Sequence, residues 1–184
     1  MTPTAELTRE HTVIQRVLAV LERLVARARR GDGFEAESLA SAVEFFRLFA
    51  DACHHAKEED LLFPVLEARG IPREGGPIGV MLEEHRLARG YTREMAEALV
   101  ARDTDRETGE RRFLSAADNY LELLTHHIFK EDNVLFRMGD QVMTERDRQK
   151  LGLGFCDVGC KSFDGKTREQ LEAIADSLDT LWGR

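Results

Sequence analysis

A ten-residue segment of this chain recurs in similar form. The run His54-His55-Ala56-Lys57-Glu58-Glu59-Asp60-Leu61-Leu62-Phe63 aligns without a gap on His127-Ile128-Phe129-Lys130-Glu131-Asp132-Asn133-Val134-Leu135-Phe136. Glu10-His11 likewise matches Glu84-His85, and the separations agree: 43 residues from His11 to His54, 42 from His85 to His127. So particular a duplication predicts two similar hairpins packed about a pseudo-twofold axis. It does not predict a solenoid, which needs three or more stacked repeats.

Each copy sits in a helical pattern. Sustained alternation of apolar and polar residues is absent, and Leu, Ala, Glu and Arg outnumber β-branched residues. Turn residues separate four long helical stretches: Thr4 (as N-cap) to Arg30, Glu35 to Arg69, Ile78 to Arg102 and Glu107 to Asp140. Long helices with short connections predict antiparallel neighbours. The expected fold class is therefore all-α, an up-down-up-down four-helix bundle over residues 1–143. A C-terminal extension, 144–184, begins with Gly152-Leu153-Gly154, carries Cys156 and Cys160, and ends in an amphipathic helix from Thr167 to Trp182.

The core seams of these helices are interrupted. At helical spacing they read Leu7, His11, Ile14, Leu18, Leu21, Val25, then Phe46, Ala50, His54, Glu58, Leu61, Val65. The third reads Ile78, Met81, His85, Ala88, Thr92, Met95, Leu99, and the fourth Phe113, Ala116, Tyr120, Leu123, His127, Glu131, Val134, Met138. Every stripe holds a metal-ligand residue type at the level where apolar packing is expected.

Composition excludes several other readings. A balance of 26 basic against 34 acidic residues, net −8, argues against nucleic acid as a partner, since cations must face phosphates. No apolar run approaches a membrane span, and Met1 to Glu6 has neither the positive start nor the apolar stretch of a secretory signal. Three cysteines without framework spacing suit a reducing compartment. A soluble cytoplasmic protein with no membrane partner is the expectation.

The six seam residues define the chemistry. Residues four apart on a helix share a face about 6 Å apart along the axis, so His and Glu of each His-x-x-x-Glu reach one site. Four imidazoles (His11, His54, His85, His127) and two carboxylates (Glu58, Glu131) then converge. Zinc is satisfied by four ligands, so six point to more than one metal, and imidazole with carboxylate suits paired iron or manganese. His11 with His54 would hold one ion and His85 with His127 the other. Glu58 and Glu131 would bridge, an oxide or hydroxide would complete the bridge, and each metal would keep an open or water-filled position. A single seam histidine is more often a satisfied core residue, and a metal-free bundle would require mutual His–Glu ion pairs. Two buried carboxylates lacking compensation would each cost several kcal/mol, which favours metal.

The lone His of the first and third helices, with His-x-x-x-Glu-[Glu/Asp]-x-x-Leu-Phe in the second and fourth, resembles the hemerythrin family, in particular its HHE cation-binding domains. The resemblance covers residues 6 to 140. It implies a non-haem di-iron site in a four-helix bundle, with His11, His54, Glu58, His85, His127 and Glu131 as ligands to two iron ions. Its partner would be a small diatomic ligand or peroxide. Ferritin-like di-iron proteins use Glu-x-x-His, and no Glu lies three residues before any His here.

One departure stands out. Oxygen-carrying hemerythrins place two His four apart on the third helix, whereas Met81 and Arg89 flank His85 at that spacing. Both metals should then be open to exogenous ligand. That resembles the branch linked to nitric oxide, peroxide or iron-centre repair, and implies a protein that binds, and reduces, O2, NO or H2O2. The alternative is a non-catalytic module that stores iron or senses iron or oxygen. His55 and His126, about 100° round the helix from the ligands, read as supporting or surface groups. Tyr120 and Cys53 read as core, and Glu59, Glu84 and Asp132 as facing solvent or orienting ligand histidines.

Overall fold

The computed structural model describes residues 1–183. Six helical rods account for most of the described chain. The first, α1 (Pro3–Arg29), starts at Thr2, whose hydroxyl accepts from the Ala5 N–H at 3.2 Å, with Pro3 at the first helical position. Thr4, the expected cap, is instead inside the helix and donates to Asp140 Oδ1 at 2.8 Å. α2 spans 36–68, α3 is Pro77–Ala101, and α4 spans 106–142. The Asp105 carboxylate caps α4 by accepting from the Thr108 N–H.

Two of these rods change gauge where the duplicated segment lies. α2 is π-helical over Phe46–His55 and again over Glu58–Leu62, and α4 is π-helical over Glu131–Leu135. Bonding from i to i+5 puts more residues in each turn, so the buried face moves along the sequence. After Glu58 the core takes Leu62, Phe63 and Leu66, while the expected Leu61 and Val65 are only half-buried. After Glu131 it takes Leu135, Phe136 and Gly139, leaving the expected Val134 and Met138 exposed. Both copies make the same correction at the same place.

The tail holds two helices where one was expected. α5 (Glu145–Gly159) is closed by a reciprocal cap between Thr144 and Asp147, and α6 (Arg168–Trp182) by the same device between Thr167 and Gln170. Gly152 and Gly154 lie within α5. A Cβ on Gly154 would stand 3.0 Å from the Leu61 side chain, so the glycine lets α5 rest on α2. Asp164 and Gly165, both at positive φ, turn the chain between α5 and α6.

Two apolar clusters result. One gathers Ile14, Leu21, Phe45, Phe46, Phe49, Cys53, Ala88, Phe113, Tyr120 and Ile128, with Leu171, Ala175 and Leu178 of α6. The other gathers Leu7, Leu62, Phe63, Leu66, Ile78, Met81, Leu135 and Phe136, with Leu151 and Phe155 of α5. Along each of α1 to α4 the ionisable seam residues fall between members of the two clusters, so a buried polar layer divides the core.

Candidate metal centre

The polar layer is assembled from all four helices of the repeat. Glu10, His54, Glu58, His85, His127 and Glu131 are at most 2% exposed, as is His11. Nε2 of His11 lies 3.0 Å from Nε2 of His54, and Nε2 of His85 lies 3.2 Å from Nε2 of His127. Glu58 spans the two pairs, with Oε1 3.6 Å from His54 Nε2 and Oε2 3.4 Å from His85 Nε2. Glu131 does likewise: Oε2 is 3.2 Å from both His11 Nε2 and His127 Nε2, and Oε1 is 3.9 Å from His85 Nε2. All six residues singled out in the sequence therefore meet in one place.

A carboxylate stands behind each imidazole. Nδ1 of His11 pairs with Asp132 at 3.0 Å, His54 with Glu10 at 2.9 Å, His85 with Glu59 at 2.7 Å and His127 with Glu84 at 3.0 Å. Each carboxylate neighbours a candidate ligand in sequence but serves a histidine on another helix. Glu59, Glu84 and Asp132 thus orient rings rather than face water. Donating Nδ1–H outward leaves the Nε2 lone pairs directed inward. Two lone-pair nitrogens 3.0 Å apart repel unless a proton or a cation lies between them.

The inner carboxylates are short of positive charge. None of the four oxygens of Glu58 and Glu131 has a hydrogen-bond partner among the described residues. Burial, then the neighbouring Glu131 charge, hold the Glu58 carboxyl well above its ordinary range. Burial depresses His127, but Glu131 and Glu84 outweigh it and raise the imidazole to about 9. His54, whose burial dominates, falls to about 4. The site favours added positive charge while keeping His54 a neutral, ligand-competent base.

This donor set passes the test of fit for transition metals. Two groups could each hold an ion: His11, His54, Glu58 and Glu131 form one, and His55, Glu58, His85 and His127 the other. Within each, one ligand atom per residue lies within 4.8 Å of the rest. Imidazoles bound cis at about 2.1 Å place their nitrogens about 3.0 Å apart, and both observed pairs meet that spacing.

A model of the hemerythrin HHE cation binding domain matches residues 2–139. The chain belongs to the hemerythrin HHE cation-binding family. Membership implies cation binding, and the His/Glu clusters able to hold metal lie inside the matched region. Relatives include uncharacterized proteins of Mycobacterium bovis and Mycobacterium tuberculosis, each 25% identical over 182 residues, covering 98% of this chain and 71% of theirs. No solved structure matches the chain. Among the described residues, no helix is long and apolar enough to cross a membrane.

Two residues beside the six had no firm place in the sequence reading. His55 is buried and stacks on His85, while its expected equal, His126, is exposed. Burial and the surrounding imidazoles push the His55 pKa well below its ordinary value. No periodicity could reveal it, because regular α spacing turns it away from the seam and the π-helical turn brings it back. Glu10 had a signal, the Glu-His pair repeated at Glu84-His85. Cys156 on α5 and Cys160 at its C-terminal cap are exposed and belong to neither metal group, and Cys53 is buried.

Proposed function

We propose that this chain is a non-haem di-iron protein that binds and reduces small molecules of the class O2, NO or H2O2. His11 and His54 hold one iron, His85 and His127 the other. Glu58 and Glu131 would be shared between the two ions, and an oxide or hydroxide would complete the pair. The observation that carries this reading is the set of four buried carboxylate oxygens without donors, facing imidazole nitrogens already oriented by carboxylates. Two adjacent irons supply Lewis acidity and electrons to a small ligand. The chain's own residues orient the rings and exclude bulk water.

The order of the apolar clusters supports an up-down-up-down bundle for residues 1–143. α1 and α3 run from the cluster of Leu7 and Met81 to that of Ile14 and Ala88, while α2 and α4 run from Cys53 and Ile128 to Leu62 and Leu135. Residues 144–184 are then an extension laid over it. The three unpaired cysteines agree with a cytoplasmic location.

The deciding experiment is metal analysis with optical spectra of the reduced protein before and after O2 or NO. Two irons per chain and ligand-dependent bands are expected; a centre that stays empty when iron is supplied defeats the reading. A sensor or storage module is the second reading, favoured by Arg168 of α6 reaching Glu10 behind His54 at 2.9 Å. Consumption of peroxide or NO marks an enzyme, and reversible spectral change alone marks a sensor.

A further inference from the structure

The duplicated inner segments differ at one buried position that bears on chemistry. His55 follows His54, and Ile128 holds the matching place after His127. Both side chains are buried. Packing requires only a filled site there, and an imidazole costs more to desolvate than an isoleucine.

The His55 ring is held in a defined pose. It lies parallel to His85, centroids 3.8 Å apart and planes 15° apart, and 5.8 Å from His127. Its Nδ1 is 3.4 Å from Asp51 Oδ1. Arg89 donates to Asp51 Oδ1 at 2.7 Å and to Glu59 Oε1 at 2.6 Å, and Glu59 in turn holds His85 Nδ1. One guanidinium thus anchors the carboxylates behind both stacked rings. With Nδ1 turned to Asp51, Nε2 is the nitrogen left for the centre.

Although a ring nitrogen of His55 falls within the second donor group, the stacked pose does not let His55 and His85 bind one ion together. Cis imidazoles on one ion hold their centroids about 4.6 Å apart, given metal–nitrogen bonds of about 2.1 Å. The pairs His11–His54 and His85–His127, at 4.7 and 4.8 Å, satisfy this. A parallel stack at 3.8 Å does not, because an ion must lie in the plane of each ring that binds it.

We propose that His55 is a substrate-contact residue, an acceptor nitrogen beside the His85–His127 metal that selects hydrogen peroxide over nitric oxide. Asp51 accepts Nδ1–H, so the neutral ring presents a lone pair at Nε2. Hydrogen peroxide donates an O–H to that lone pair, whereas NO and O2 have no hydrogen to donate. Beside the other metal the repeat supplies Ile128, which makes no such bond, so the contact is one-sided.

This rests on the di-iron reading, and the test separates the two. Hydrogen peroxide is titrated into the diferric protein and NO into the diferrous protein, each followed optically, with iron counted per chain. His55→Phe keeps a flat ring on His85 and removes both nitrogens. It should retain two irons, lose about tenfold in peroxide affinity and leave NO affinity within about twofold. His55→Gln, which keeps an acceptor, should recover peroxide affinity to within about threefold. Asp51→Ala, at a half-buried position, should lower peroxide affinity several-fold and keep both irons; it decides the matter should the Phe variant not fold. Unchanged peroxide affinity in the Phe and Ala variants overturns the proposal, as does loss of one iron from the Phe variant, which would make His55 a ligand. A wild-type chain that does not hold two irons defeats the di-iron reading instead.

Discussion

The two hairpins carry matching His and Glu residues but sit in different surroundings. In the first, Lys57 is fully buried, with Nζ 2.6 Å from Glu10, 2.8 Å from Glu6 and 5.4 Å from the Phe155 ring centroid. Arg168 of α6 joins the same carboxylate at 2.9 Å. In the second, the matching Lys130 pairs with Glu84 but is 38% exposed, and no residue of α5 or α6 is among its hydrogen-bond or ion-pair partners. Duplication gives a symmetric donor set, and the C-terminal helices make its outer layer unequal. The imidazole of His54 is steered through a dry charge network, that of His127 through a wet one.

The largest effect expected from this contrast is on stability. Lys57→Ala leaves the buried Glu10 with only His54 and the part-exposed Arg168 as partners and should cost about 3–5 kcal/mol. Lys130→Ala should cost no more than about 1 kcal/mol. Urea denaturation of both variants measures the difference, and equal losses would break the comparison. Next in size is metal affinity. Glu10→Ala and Glu84→Ala each remove the carboxylate behind one ring and should weaken iron binding about 10- to 100-fold, with Glu10→Ala the worse because it also leaves the fully buried Lys57 with Glu6 alone. Competition with a chelator reads this directly.

Acid sharpens the contrast further. Burial raises the Glu10 carboxyl, yet His54 and Lys57 outweigh it and hold the group at about 2, below its ordinary 4.5. A carboxyl depressed in the folded state stabilises fully above its unfolded pKa, and that contribution is lost as pH falls from about 4.5 to about 2. Glu10→Gln should therefore flatten the acid limb of the urea midpoint measured between those values. The smallest effects lie where α5 rests on α2. Gly152→Ala meets nothing within 4 Å and should gain about 0.5–1 kcal/mol of helix propensity. Gly154→Ala meets Leu61 at 3.0 Å and should gain nothing. Thermal melts compare the two.

Legibility differed by residue for physical reasons. His11, His54, Glu58, His85, His127 and Glu131 were readable because an ionisable group on an apolar stripe is costly unless something compensates it, and each stripe carried one at the matching level. Leu61, Val65, Val134 and Met138 were misplaced because a regular period was extended through turns that are π-helical. α5 was hidden by its glycines, although Thr144 and Asp147 at capping-box spacing marked its start.

Local sequence alone determined the helical class, the family and the six residues that meet in the buried layer, since spacing along one helix suffices to put His and Glu on one face. Tertiary structure decided which carboxylate backs which ring, that Lys57 is dry while Lys130 is wet, and that His55 lies inside while His126 lies outside. These depend on groups 26 to 158 residues apart meeting across helices, and on a widening of the helix that no period in the sequence records.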